Sequence, residues 1–433
     1  MDNIFLLKIQ QKTKKVNVYN FGLTCFFIGI FLLFSAPLFG SIFLIISIIL
    51  SLCSQKENPL KDKINLSLIL ISLLMIVSCL IFPLKKISFD YLRGDLNTHP
   101  LIGLLNWLPL FVSFLGFQKY LQTKKNRARC GIILVCGSIP LLISGFGQYF
   151  FNWYGPLEFL NGLVIWYQRA NTSGMTSIFN NQNYAGCLLA SVLPFFFASI
   201  FNNQDSKNKK IIAIILTIFV ILGIFFTNSR NGLLGLLIGT FFLIIPLRKK
   251  FIFISVISTF AAFFINYLLT VILNVSLIPS SLTNKFNFES LVNEPRIILW
   301  RSSLKFILEE PIMGWGGHNF SSIWSSFNSQ YYGHSHSGPL EIAIQYGLLT
   351  SFILTSVFIY ILIRSYKLIF FNSDKKLILF SKNNHFDRAW FSSGIVILFS
   401  NTVDILYFDL RINILLWLAL SVLRVIIKEE EVV

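Results

Sequence analysis

Charge is what this sequence has least of. Only 13% of its 433 residues are Asp, Glu, Lys or Arg, about half the share a soluble domain carries. A chain so poor in charge cannot cover a water-facing surface of its own size, which excludes an ordinary soluble enzyme. Acidic residues are scarcer still, 19 against 36 Lys and Arg, and Met occurs only 4 times. The six cysteines, Cys25, Cys53, Cys79, Cys130, Cys136 and Cys187, lie in or beside apolar stretches without a C-x-x-C spacing. That argues against a disulfide framework or a thiolate metal site; they read as small buried hydrophobes. There is no Gly-rich phosphate loop, no Ser-His-Asp order and no paired-carboxylate spacing. The opening "MDNIFLLKIQQKTKK" has too short an apolar core for a cleavable signal, so the first long apolar run is expected to remain as a span.

What is present is apolar. Hydrophobic residues make up 55% of the chain, with 46 Phe, and the mean hydropathy is +0.69. An all-α polytopic membrane protein follows, a single membrane domain over 1–433. About twelve runs are long enough to cross the hydrocarbon. They fall near 18–36, 38–54, 64–83, 101–117, 130–150, 184–202, 210–227, 232–247, 251–274, 339–363, 390–407 and 411–427. The net charge of +17 would suggest nucleic acid on a soluble chain. Here it reads as Lys and Arg held on the cytoplasmic side, with no nucleic-acid partner. Placing the N-terminus inside puts most of the 36 basic residues in cytoplasmic segments, with Lys85 and Lys86 against the trend and Asp90 and Asp95 near them. Both termini are then cytoplasmic. The segments 151–183 and 275–338, the turn "TNSRNG" (227–232) and His99, His318, His334 and His336 lie on the opposite face. The 275–338 loop also carries Lys285, Glu289 and Glu294.

Arg230 sits in that turn between two strongly apolar runs. A guanidinium at the membrane boundary suits phosphate oxygens; it also suits simple snorkelling. Asn228, Ser229, Asn231 and Gly232 around it favour a tight polar turn. In "NEPRIILWRSSLKFILEEP" (293–311), Ile297, Trp300, Leu304 and Ile307 recur at helical spacing, so an amphipathic helix on the outer membrane face is expected, with Trp300 at the interface. Arg296 falls in its first turn, where unpaired N–H groups favour an anion; Arg301 and Lys305 follow. His336 precedes an apolar segment and suits a general base. The spacing of His318, His334 and His336 is not diagnostic of zinc, and no metal is expected. Glu341 near a span end calls for a partner. Asp404 reads as a proton relay, a salt-bridge partner or the outer end of its span, and Tyr407 and Phe408 favour the last.

Four stretches occur in order: "SIFNNQNYAGCLLASVLPF", "TNSRNG", "PRIILWRSSLKFILEEPIMGWGGHNF" and "HSHSGPLEIAIQYG". Together they resemble the O-antigen ligase and polymerase superfamily of bacterial membrane glycosyltransferases. The resemblance covers 177–363 and rests on Arg230, on Arg296 and Trp300 with Pro311, Gly314, Gly316 and Phe320, and on His336 with Leu340 and Gly347. Ser337 stands where the pattern usually has Asn, and Gln345 where Glu is frequent. The resemblance implies an inverting transfer from a polyprenyl-diphosphate-linked glycan to a sugar hydroxyl, on a lipid A core, a glycan or a protein. No metal or other cofactor is implied, and the reaction would sit at the periplasmic face of the inner membrane. It assigns catalysis to His336, Arg230 and Arg296. The substrate contacts expected at the site are Arg230, Arg296, Arg301, His318, Trp300 and Asn231. A polymerase extending lipid-linked repeats is the alternative acceptor chemistry, and a bicarbonate-type transporter the alternative class. A transporter would favour midplane sites and internal repeats, and the halves show no repeat.

Overall fold

The computed structural model describes residues 2–54, 58, 61–81, 100–170, 172–202, 206–244, 295–328, 330–371 and 384–431, with side chains of the first helix from residue 17. The expected span 251–274, the first part of the 275–338 loop with Lys285, Glu289 and Glu294, and Lys85, Lys86, Asp90, Asp95 and His99 lie outside the described residues. The helices are α1 (Asp2–Leu32), α2 (Pro37–Cys53), α3 (Lys63–Ile81), α4 (Leu108–Gln118) after a 3-10 stretch at Pro100–Asn106, α5 (Lys124–Phe151), α6 (Gln182–Ile200), α7 (Lys207–Phe226) and α8 (Arg230–Ile244). Beyond residue 294 come α9 (Pro295–Glu309), α10 (Phe320–Phe327), α11 (Gly338–Tyr346), α12 (Leu348–Phe370), α13 (His385–Val403) and α14 (Leu410–Glu431). A two-stranded hairpin, β1 (Leu157–Phe159) and β2 (Val164–Trp166), joins α5 to α6.

Seven helical segments among the described residues are long and apolar enough to cross a membrane: Lys63–Ile81, Pro100–Gln118, Lys124–Phe151, Gln182–Ile200, Lys207–Phe226, Leu348–Phe370 and Leu410–Glu431. Asn17–Leu32, Pro37–Cys53 and Arg230–Leu243 are shorter apolar helices. The chain is an all-α polytopic membrane protein. One expected span starts later than its hydropathy suggested. The run 339–363 is broken at Gly347, whose φ of +86° ends α11 and starts α12 on a new axis. Glycine is needed there because a Cβ would collide with the carbonyl oxygen of Ile312.

Local chemistry sets the helix ends. Thr123 accepts from the Asn126 N–H at 3.2 Å and starts α5; Asn181 accepts from the Asn183 N–H at 2.8 Å and starts α6. Helices α6 and α14 form the interior, and α6 packs on α7, α8 and α13. The α6–α8 contact is glycine on glycine: a Cβ on Gly232 would lie 2.9 Å from Gly186 Cα. Small residues let membrane helices approach this closely. The approach also brings Asn183 and Ser229, each three residues before its glycine, within reach of one another.

The two ends of α13 carry opposite tasks. At its start, Arg127 of α5 is fully buried and pairs with Asp387 at 2.8 Å and with Glu429 of α14 at 2.6 Å. Asp62 receives Arg424 at 2.9 Å and Lys428 at 3.0 Å. Asp404 follows the last residue of α13, whose 19 residues put it roughly 28 Å away at 1.5 Å per residue.

Helices α9, α10 and α11 form a separate small core of Leu299, Phe306, Ile307, Trp315, Phe320, Ile323, Trp324, Ala343 and Ile344. The apolar stripe expected on α9 differs from the face that packs. Leu299, Ser303, Phe306 and Ile307 are buried, whereas Ile297 and Leu304 are exposed and Trp300 is half-buried. Isoleucine and leucine on both sides of this helix made either stripe legible, and the small core selected the other one.

Candidate functional site

His336 sits on a short turn between α10 and α11 that several elements hold in place. Gly314 and Gly316 take φ of +64° and +79°, which lets the Trp315 and Gly316 N–H groups donate to the carbonyls of Ile344 (2.7 Å) and Gln345 (2.9 Å). A Cβ on Gly314 would lie 2.5 Å from the Ile344 oxygen, so the glycines of the P-x-x-G-x-G stretch serve this docking. Glu341, buried in α11, accepts from the Ser335 N–H at 2.8 Å and from Gln345 Nε2 at 2.8 Å. These are the partners its position demanded. The Trp300 indole donates to the carbonyl of His336 at 3.3 Å. His336 itself is left-handed, φ +54°, a conformation that a non-glycine residue holds only when its surroundings impose it.

The ring of His336 meets Asp404. Nδ1 lies 2.9 Å from Asp404 Oδ1, and Arg296 Nη2 lies 3.6 Å from Oδ2. Asp404 Oδ1 also accepts from the Ile405 N–H at 2.9 Å, and Oδ2 accepts from Asn183 Nδ2 at 2.9 Å. Asn183 Oδ1 in turn accepts from Ser229 Oγ at 2.9 Å, in the residue before Arg230. A carboxylate only accepts, so the proton between the two residues belongs to Nδ1, which leaves Nε2 of the neutral ring as an acceptor. The carboxylate is 4% exposed, while His336 and Arg296 are 26% and 21% exposed. An acid is therefore hidden behind a base and a cation that both reach outward.

Three of the sequence-predicted residues thus converge directly: Arg296, Trp300 and His336. Arg230 begins α8, half-buried, and its turn joins the cluster through Ser229 and Asn183. That turn is tight, as its composition suggested: Asn228 has φ +51° and donates to the Ser173 carbonyl at 3.0 Å. Asn231 is buried, and neither atom of its amide has a hydrogen-bond partner. Arg301 is exposed on α9. His318, at φ +62°, stacks on Phe408 with centroids 5.5 Å apart, and burial lowers its imidazole below the usual range.

His334 lies edge-on to His336, centroids 4.2 Å apart. Burial above all, with His336 and Arg296 adding to it and Asp404 opposing, pushes its imidazole down to about 4. It is neutral at neutral pH. Donor atoms of His334, His336 and Asp404 lie within 4.8 Å of one another, the kind of N,N,O set that a borderline divalent ion can use. Arg296 already supplies positive charge to that carboxylate.

Two members of the cluster stood out less in sequence. The sequence favours Asp404 as the outer end of a span; the structure places it directly after Val403, the last residue of α13, as the salt-bridge partner of His336 and Arg296. The signal was an acid inside an otherwise apolar run. Asn183 gave only its place in the "NNQNYAG" stretch.

Residues 215–355 match the family model described as O-antigen ligase. Arg230, Arg296, Trp300, His318 and His336 fall inside that match, and Asn183 and Asp404 outside it. The teichuronic acid biosynthesis protein TuaE of Bacillus subtilis is 27% identical over 202 residues, which is 44% of this chain and 41% of the relative. The matched stretch spans about two fifths of that relative's length.

Proposed function

We propose, for a chain that belongs to the O-antigen ligase superfamily through residues 215–355, a metal-independent, inverting transfer of a glycan from a polyprenyl-diphosphate donor to a sugar hydroxyl. The chain is a bacterial membrane protein, and the superfamily's chemistry is glycosyl transfer of the ligase and polymerase type. In our reading it lies in the inner membrane with both termini cytoplasmic and the His336 end periplasmic. The observation that carries the proposal is the pairing of His336 with Asp404 at 2.9 Å, with Arg296 on the other carboxylate oxygen.

In this reading Nε2 of His336 takes the proton of the acceptor hydroxyl as its oxygen attacks the anomeric carbon. The bond from that carbon to the diphosphate oxygen breaks, and the lipid diphosphate leaves with the electron pair. Arg296 and Arg230 stabilise the charge that grows on it. Asp404 holds the ring with Nδ1 protonated and stabilises the imidazolium formed, the part an acid plays behind a histidine base in other systems. Arg301, Trp300 and His318 are the further substrate contacts in this reading; Asn231, expected as a fourth, is buried in the turn beside Arg230 and supports that turn instead.

Polymerisation of lipid-linked repeats is the second reading, and a relative named for teichuronic acid biosynthesis is compatible with either acceptor. Gel profiles of surface polysaccharide from a deletion strain separate the two. Unattached long chains mark a lost ligase; single-repeat products mark a lost polymerase. Normal profiles from strains carrying His336→Ala, Arg230→Ala or Arg296→Ala in place of the wild-type chain contradict both.

A further inference from the structure

We infer that Asn183 is a positioning residue for the reaction. It orients the carboxylate of Asp404 behind His336 and ties that pair to the turn that carries Arg230. The inference rests on the functional reading above. It starts from a row of four side chains on four segments: Ser229 before α8, Asn183 on α6, Asp404 after α13 and His336 before α11. Three contacts of 2.9 Å connect them: Ser229 Oγ to Asn183 Oδ1, Asn183 Nδ2 to Asp404 Oδ2, and Asp404 Oδ1 to His336 Nδ1.

The direction of every bond in this row is fixed by what lies beside it. The carboxylate of Asp404 can only accept, so the Asn183 amide turns Nδ2 toward it, which leaves Oδ1 facing Ser229. Ser229 Oγ, which accepts from the Gly232 N–H at 3.1 Å, donates its own hydrogen to that oxygen. With Oδ2 engaged by Asn183 and Arg296, and Oδ1 by the Ile405 N–H, the remaining lone-pair direction on Oδ1 faces the His336 ring. Asn183 thereby sets the plane of the carboxylate, and the plane of the carboxylate sets the ring.

The same contact links the base to the cationic turn. Asn183 and Ser229 meet because Gly186 and Gly232 let α6 and α8 touch, with a would-be Cβ on Gly232 only 2.9 Å from Gly186 Cα. A shift of the α7–α8 turn therefore moves the Ser229 hydroxyl, releases the Asn183 amide and frees the carboxylate to rotate. Occupation of the Arg230 end by donor diphosphate and alignment of the base are coupled through these four side chains.

A packing role and a positioning role give opposite orders for two variants. Asp is the same size as Asn, so packing alone ranks Asn183→Asp milder than Asn183→Ala. Positioning ranks it worse, because it aims a second carboxylate oxygen at Asp404 where a donor was. The experiment uses the full-length chain in nanodiscs with a polyprenyl-diphosphate-linked glycan as donor, measuring kcat and donor KM for wild type, Asn183→Ala, Asn183→Asp, Ser229→Ala and the Asn183→Ala/Ser229→Ala pair. Expected are a ten- to hundredfold fall in kcat for Asn183→Ala with donor KM within about threefold, and a larger fall for Asn183→Asp. The pair should be no worse than Asn183→Ala alone, since the hydroxyl acts through the amide. Asn183→Asp at or above the Ala variant, or fully additive losses in the pair, overturns the inference. If His336→Ala in the same assay retains transfer, it is the functional reading that fails instead.

Discussion

Nδ1 of His336 lies 2.9 Å from Oδ1 of Asp404, across 68 residues of sequence. The distance joins a histidine whose side chain reaches outward to an acid that is nearly closed off from water. An ionised acid in that position is costly unless it is paired and hydrogen-bonded. Asp404 has His336, Arg296, Asn183 and the Ile405 N–H around it. Because all of these converge on the acid, small changes to it should register in rate.

Asp404→Asn keeps the shape and removes the charge. The new amide can present a hydrogen to Nδ1, which favours the wrong tautomer of His336 and withdraws stabilisation from the imidazolium. The expected result is a loss of kcat of about a hundredfold or more, with protein still recovered from the membrane at wild-type yield. Steady-state kinetics on the reconstituted chain measures it, and kcat within threefold of wild type contradicts the assignment.

Trp300→Phe deletes one donor, the indole N–H that reaches the His336 carbonyl at 3.3 Å. The ring volume is largely kept, so Tm should move by no more than a few degrees. The left-handed backbone of His336 loses a support, and kcat should fall by roughly three- to tenfold, the worth of one modest hydrogen bond. An unchanged kcat means that the indole hydrogen bond has no part in holding the base.

The helical architecture was legible in the sequence, and so were three of the residues that the fold brings together, Arg296, Trp300 and His336. A long apolar run folds as a helix in a membrane whether it faces lipid or, like α6 and α14, the bundle interior, so every expected span within the described residues has a helix on it. Arg296, Trp300 and His336 stand out through the ordered stretches that resemble the O-antigen ligase and polymerase superfamily; taken singly, an Arg in a first turn and a His before a span also suit an ordinary surface helix and a solvated loop. What stayed hidden depends on contacts across the bundle. No local pattern says that Asp404 faces His336, or that Asn183 reaches Ser229 because two glycines let α6 and α8 touch. The face of α9 that packs, through Leu299, Ser303, Phe306 and Ile307, was masked by apolar residues on both sides of the helix. The break at Gly347 was hidden because hydropathy is blind to φ.

Arg127 tests whether the far end of the bundle is only structural. Its guanidinium is fully buried between Asp387 and Glu429. Arg127→Ala leaves Asp387 without its cation in a protein interior, a change that costs about 3 kcal/mol or more. Thermal unfolding in detergent should show a clear fall in Tm, while kcat per folded molecule stays within twofold of wild type. A lost kcat in folded protein means that the two ends of α13 are coupled.

His334 ties stability to pH. Its imidazole is pushed down to about 4, chiefly by burial, against an ordinary value of 6.5. The unfolded chain takes up a proton below about 6.5 that the folded chain refuses until about 4, so folded stability falls as the pH drops through that window. Wild-type Tm should decline between pH 7 and pH 5. His334→Asn, which cannot take up that proton, should decline less over the same range. Parallel declines show that His334 is as accessible to protons in the folded chain as in the unfolded one.

The most direct measurement of the central claim is turnover of a polyprenyl-diphosphate-linked glycan by the purified full-length chain in nanodiscs, with a sugar acceptor and EDTA present, comparing wild type with His336→Ala. Wild type should release polyprenyl diphosphate in step with a glycosylated product of inverted anomeric configuration, and His336→Ala should release none above background. Release by the variant at the wild-type rate, a product of retained configuration, or wild-type activity that EDTA abolishes would contradict it.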